Sequence, residues 1–228
     1  RERANRSRAN KEKHLMKTLR AAVRTIWDAR RPYVILNLVY YGLVACGMAY
    51  AAIDRSVQQS LLAAVGSALT EGPLATVAEA YSAEQVVLAV GLTVGINLAV
   101  GSFASITLPS LVIPFSGLLV AGIRAMTWGL LFSPRSVAGV GPEDVLTGVL
   151  FVVLVILEGQ GYVLAAMGAY LHGRAFLWPQ RAGAAGHRQG YWRGLKDTAR
   201  IYLLVALVLL VAAIYEVWFA VAAAPALR

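Results

Sequence analysis

Three ionisable side chains sit in apolar stretches long enough to cross a bilayer: Glu158 in residues 145–171, Arg124 in 111–132 and Glu216 in 201–224. A charge inside hydrocarbon is costly, so it ordinarily has a partner and a purpose. Two chemistries fit such a set, a structural ion pair or a path for protons or ions. One arginine cannot neutralise both carboxylates, so one glutamate is expected either to be protonated or to face a water-filled cavity. With each segment centred on the bilayer, the three groups fall near the middle or slightly toward the outer side, within about two helical turns of one another. An Arg124–Glu158 pair is the expectation, with Glu216 as a second acceptor or as a separate site near the outer surface. Asn97, in another apolar segment, is expected to donate an interhelical hydrogen bond.

Positioning these groups requires helices that approach closely. Gly117, Ala121, Ala125 and Gly129 recur every fourth residue in one segment, and Gly161, Ala165, Ala169 and Gly173 do so in another. Small residues at this spacing let helix backbones touch. Arg124 and Glu158 lie on or beside these ridges, so they are expected to face protein rather than lipid. If the two ridges packed centre to centre, Glu158 would lie outward of Arg124 by more than a turn. Gly91, Gly95 and Ala99 form a weaker version in the second segment. Segments two, three and four are therefore expected to form the heart of the bundle.

The chain is 58% hydrophobic yet carries a formal net charge of +9. Five candidate spans appear, at 33–52, 85–108, 111–132, 145–171 and 201–224, each about the length that a hydrocarbon core of roughly 30 Å requires. Their apolar runs are continuous rather than alternating, which favours an all-α bundle over a barrel. The basic residues cluster before the first span, from Arg1 to Arg31, and again between Arg174 and Arg200, while the opposite loops hold Arg55 and Arg135. The positive-inside rule then predicts a cytoplasmic N-terminus in a cell inner membrane, with the 173–200 loop on the same side and the C-terminus outside. Topology and lipid phosphates account for the charge, which argues against nucleic acid as a partner.

Residues 1–32 read as a basic cytoplasmic arm and 33–228 as the membrane domain. Within the arm, 1–13 is too charged to fold alone. From His14, Leu15, Leu19, Val23, Ile26 and Trp27 recur at helical spacing opposite Lys17, Arg20 and Arg24, the pattern of an amphipathic helix on the leaflet surface or docked on a partner, before Pro32 turns the chain inward. In the outer segment 53–84, Leu61, Val65 and Leu69 form one stripe and Leu74, Val77 and Tyr81 a second, with Gly72-Pro73 breaking between them. Pro109 and Pro114 imply a tight turn or a re-entrant kink between the second and third spans. The chain begins at Arg1 rather than Met, which implies an upstream segment; no cleavable signal is expected, since a long basic stretch precedes the first apolar run.

Little else points to reactive chemistry. Cys46 is alone and reads as a small core residue. His172 is expected to snorkel to the interface, and residues 159–161 lack the preceding strand of a phosphate loop. No catalytic, metal or cofactor-binding constellation is visible, so a non-enzymatic role is expected.

Three segments together resemble the stage II sporulation protein M family of bacterial and archaeal integral membrane proteins. Leu157-Glu-Gly-Gln-Gly-Tyr-Val-Leu-Ala-Ala-Met-Gly-Ala-Tyr-Leu-His-Gly173 is similar to that family's Glu-centred, Ala/Gly-rich helix. Ala212-Ala-Ile-Tyr-Glu-Val-Trp-Phe219 is similar to its last helix, and Asn97 followed by Ser116-Gly117 resembles its Asn-Asn and Asn-Gly positions. The family's Pro-His-Gly is absent here, and the likeness carries over to Glu158, Glu216, Asn97 and Gly117. It spans roughly residues 85–220 and implies a membrane scaffold that positions partner proteins in cell-envelope remodelling. Protein partners or self-association, besides membrane lipids, follow from that role. A proton- or ion-coupled component using Glu158 and Glu216, or an accessory subunit of a large bioenergetic complex, are the alternative expectations.

Overall fold

The computed structural model describes the backbone of residues 2–72, 74–133 and 142–220, with the side chains of 1–11, 14, 15, 73, 134–147 and 221–228 left undescribed. Arg135 and positions 221–224 of the fifth expected span therefore lie outside the described residues, as does the Leu15 side chain. Every regular element among the described residues is helical: α1 (Glu2–Asp28), α2 (Arg30–Ile53), α3 (Arg55–Thr70), α4 (Ala75–Ser82) and α5 (Val86–Gly95). A π-helical segment, Ile96–Thr107, continues α5 into α6 (Leu108–Val112). Then follow α7 (Ser116–Leu131), α8 (Pro142–Leu177), a 3₁₀ turn at Pro179–Ala182 and α9 (His187–Trp218).

Among the described residues, four helices are long and apolar enough to cross a membrane: Arg30–Ile53, Val86–Val112, Gly148–Leu177 and His187–Trp218. The chain is thus a multi-pass membrane protein. The bent α3–α4 pair, with its 75° break, raises the number to as many as five. The expected third span, 111–132, is divided. Pro114 drives Ile113 into extended backbone at φ −113° and ψ 103°, and Phe115 follows at φ 70°. Residues 111 and 112 consequently finish the second membrane helix, and α7 keeps 16 residues, about 24 Å at 1.5 Å per residue. Pro114 belongs to a tight turn rather than a re-entrant kink, whereas Pro109 sits in the first turn of α6, inside the helix.

Three further boundaries differ from the sequence expectation. The basic region 173–200 is mostly helix: α8 continues to Leu177, Gly183 closes the turn at φ 67°, and α9 begins at His187. Helical backbone also starts at Glu2 rather than His14. The entry into the membrane is the break at Ala29, not Pro32, which sits in the first turn of α2 where its missing N–H is no loss. On α1, Ala22 is buried and Leu19 and Ile26 are half-buried, but Val23 and Trp27 are exposed, so only part of the expected stripe packs inward.

α8 is the central helix, with residues 161–169 buried without interruption. Its closest neighbour is α9, which runs antiparallel: Gly161 meets Leu209, Gly168 meets Thr198 and Gly194 meets His172. The second tight pair is α2 with α7, running parallel, where Gly47 lies against Met126 and Gly129 against Val44. The two small-residue ridges thus do not pack on each other. Gly117 abuts Ile106 of the π segment and Gly129 abuts α2, while Gly161 faces α9 and Gly173 faces the Phe115 ring. Ala121, Ala125, Ala165 and Ala169 are buried between these ends. Gly91 and Gly95 have open space where a side chain would stand, so the weaker ridge is no packing seam. Large apolar residues such as Leu38, Val87, Val112 and Leu119 point outward, as lipid contact requires.

Candidate functional site

Glu158 lies on the central helix and is 3% exposed. Its Oε1 accepts a hydrogen bond from Asn97 Nδ2 at 2.9 Å, and Asn97 Oδ1 in turn accepts from the Tyr162 hydroxyl at 3.0 Å. Glu158 and Tyr162 are four residues apart on α8 and therefore share a face. Asn97 opens the π segment, whose wider coil carries Asn97, Gly101 and Ser105 along one side toward α7 and α8. Gly101 is needed there: a Cβ would stand 3.2 Å from the Tyr162 ring and 3.5 Å from Arg124 Nη1.

Arg124 does not form an ion pair with Glu158; the salt bridges of the described residues are Arg24–Asp28 and Arg200–Asp197. Its guanidinium instead lies over the Tyr162 ring, 4.6 Å from the centroid, and Nη2 donates to Ser105 Oγ at 3.3 Å. The expected direct contact is replaced by a relay, Arg124 to the Tyr162 face and the Tyr162 hydroxyl to Asn97 and Glu158. The reason is geometric: Arg124 starts from α7, and the Tyr162 ring occupies the space its guanidinium would need.

The group that does face Glu158 is Glu216. The two carboxyls, from adjacent antiparallel helices, lie close enough to act on each other electrostatically. The Oε2 atom of each is buried with no hydrogen-bond donor beside it. Tyr81 of α4 lies within reach of Glu216 and shares a 3.1 Å hydrogen bond with Thr93 Oγ1. Ala80 packs with Ala89 and Val217 next to it, so α4 closes the bundle over this acid pair.

A second polar cluster, between α2 and α8, was missed by the sequence reading. Gln160 Oε1 accepts from the Tyr33 hydroxyl at 2.8 Å, and its Nε2 donates to Asn37 Oδ1 at 2.6 Å and to the Tyr41 hydroxyl at 2.9 Å. Tyr41 also donates to the Ile156 carbonyl at 2.9 Å. Tyr33, Asn37 and Tyr41 stand at four-residue intervals on one helix face, a signal that was available. His172 is buried against Tyr191, rings 4.6 Å apart and edge-on, rather than reaching the interface. Cys46 is exposed on the outside of α2 rather than in the core.

What this arrangement can do chemically is hold helices by hydrogen bonds and hold a proton between two carboxyls. It offers no nucleophile paired with a base. Comparison with family models, with curated proteins and with solved structures finds no match to this chain.

Proposed function

We propose that this protein is a non-enzymatic membrane scaffold or accessory subunit, with five crossings and its basic end in the cytoplasm. The observation that carries the reading is that Glu158, buried on the central helix, accepts its hydrogen bond from Asn97 and faces Glu216 across a helix seam. Two ionised carboxylates so placed repel; one shared proton turns the repulsion into a hydrogen bond. With that proton, Arg124 and the pair together are neutral, which suits a bilayer interior. The fifth crossing is supported by α7, which runs parallel to α2 from Leu118 beside Leu36 to Gly129 against Val44, and just beyond it Ser133 Oγ donates to the Met48 carbonyl at 3.1 Å. The arginines beside α1, α8 and α9 support the orientation. The resemblance to the stage II sporulation protein M family supports the scaffold role, with a place in cell-envelope remodelling and a bacterial inner membrane as its setting.

Extraction of the protein from its native membrane in mild detergent tests this. A scaffold is expected to migrate as a defined complex with other proteins or with further copies of itself. A monomer under those conditions would contradict it. A proton-coupled transport component is the second reading, favoured by the two unpartnered Oε2 atoms of the acid pair. It separates from the first by flux across reconstituted vesicles.

A further inference from the structure

At the basic end of the bundle, α1, the end of α8, the 3₁₀ turn and the start of α9 border an open cavity of about 540 Å³ that the acid pair does not touch. Arg24, Arg174, Arg181, Arg193 and Arg200 line it, against Asp28 and Asp197. Two of the five arginines are committed: Arg24 lies 3.9 Å from Asp28, and Arg200 bonds Asp197 at 2.9 Å. Arg193 donates to the Gly183 carbonyl at 3.0 Å, which fixes it at the cavity wall without neutralising it. Arg174 and Arg181 have no carboxylate at ion-pair distance among the described residues, and Arg174 Nε is buried without a hydrogen-bond partner. The lining therefore holds three uncompensated positive charges and an unused buried donor around one space, which favours an anion with several acceptor oxygens.

The depth of the cavity narrows the ligand. Exposed Trp27, Trp178 and Trp192 surround this end of the molecule, and tryptophan in membrane proteins concentrates at headgroup level. Trp27 and Val23 are the exposed apolar residues of α1 next to Arg24, so the helix that forms one wall also lies against the leaflet. We infer that this cavity is a binding site for the phosphate of an anionic phospholipid headgroup, held by Arg174, Arg181 and Arg193 where α1 meets the α8–α9 turn. The volume, many times the roughly 30 Å³ share of one water, accommodates a phosphodiester with a small polar substituent.

The full chain, purified in a non-ionic detergent, is titrated with short-chain phosphatidylglycerol, phosphatidylcholine or inorganic phosphate, and binding is followed by native mass spectrometry and thermal shift. Phosphatidylglycerol is expected to bind about tenfold more tightly than phosphatidylcholine, as loss of a few surface-level charge contacts would imply. Arg174→Gln with Arg181→Gln is expected to erase that preference, whereas Arg188→Gln, exposed and outside the cavity, should leave it intact. Arg181→Gln alone, an exposed position, gives a weaker loss and serves if the double variant does not fold. Competition by inorganic phosphate at similar concentration would show that the site reads the phosphate itself, from a soluble source as well as a lipid. Equal binding of the two lipids with no response to phosphate, or a preference unchanged in both Arg181→Gln and the double variant, would overturn the site.

Discussion

Glu158 and Glu216 meet across the α8–α9 seam, and their substitution effects are expected to be coupled. Removing either side chain leaves the other buried without its partner, at a cost of roughly 1–3 kcal/mol. The double variant, Glu158→Ala with Glu216→Ala, should then lose less than the sum, with a coupling on the order of 0.5–3 kcal/mol in detergent unfolding. The corresponding cycle of Arg124→Ala with Glu158→Ala should show a smaller coupling, because Tyr162 stands between the two. Tyr162→Phe isolates the relay: the ring stays under the guanidinium while the hydroxyl to Asn97 is lost. Its cost should be about 0.6 and no more than about 1.7 kcal/mol, the range measured for hydrogen bonds inside membranes. Sequence alone singled out Glu158, Glu216, Arg124 and Asn97, since an ionisable or amide group in an apolar run stands out. Opposite charge points Arg124 to Glu158, whereas in the structure the Tyr162 ring lies under the guanidinium, a contact no charge rule indicates. The Tyr81 lid over Glu216 was not legible either, as it depends on how α4 folds back.

At the scale of elements, glycines that look alike in sequence differ by what stands beside them. A Cβ on Gly129 would overlap the Val44 carbonyl, a backbone atom that cannot step aside. Gly129→Ala is therefore expected to destabilise the α2–α7 pair by about 1–3 kcal/mol. Gly91→Ala meets nothing within 4 Å and should be neutral or stabilising by at most about 1 kcal/mol, from helix propensity. Thermal unfolding of both variants checks the contrast. The four-residue spacing identified which faces were small, but not their partners, because a ridge carries no record of the helix it meets. The π segment was invisible for a related reason: its residues have ordinary helical propensities, and the extra residue per turn emerges from packing. Outside the membrane, the Asp54 carboxyl caps α3 by accepting the Ser56 backbone N–H at 2.9 Å, which holds its pKa below the ordinary carboxylate value. A lowered folded-state value means that this cap stabilises α3 above the unfolded pKa and is lost as pH falls through the folded one. Protection of the amides at the start of α3, taken relative to the intrinsic exchange rate at each pH, should accordingly fall below about pH 4. Asp54→Asn, which caps without titrating, should remove that dependence.

On the scale of the whole molecule, hydrophobic length and charge asymmetry made the membrane class and the all-helical fold readable from sequence. Pro109 and Pro114 point to a break between the second and third spans but not to its place at Ile113–Phe115, because apolar residues run through it. The proposed orientation leads to a labelling test in a Cys46→Ser background. Gln189→Cys should react with an impermeant thiol reagent only after cells are opened, and Ser60→Cys should react while they are intact. The intramembrane carboxyls are proposed to lock the bundle rather than carry protons. The most direct measurement is proton flux in vesicles reconstituted with the wild-type protein or with Glu158→Gln, under an imposed pH gradient. Flux at the level of protein-free vesicles for both proteins, with altered unfolding only in the variant, is the expected result. Gradient-driven flux in the wild type that Glu158→Gln abolishes would contradict it.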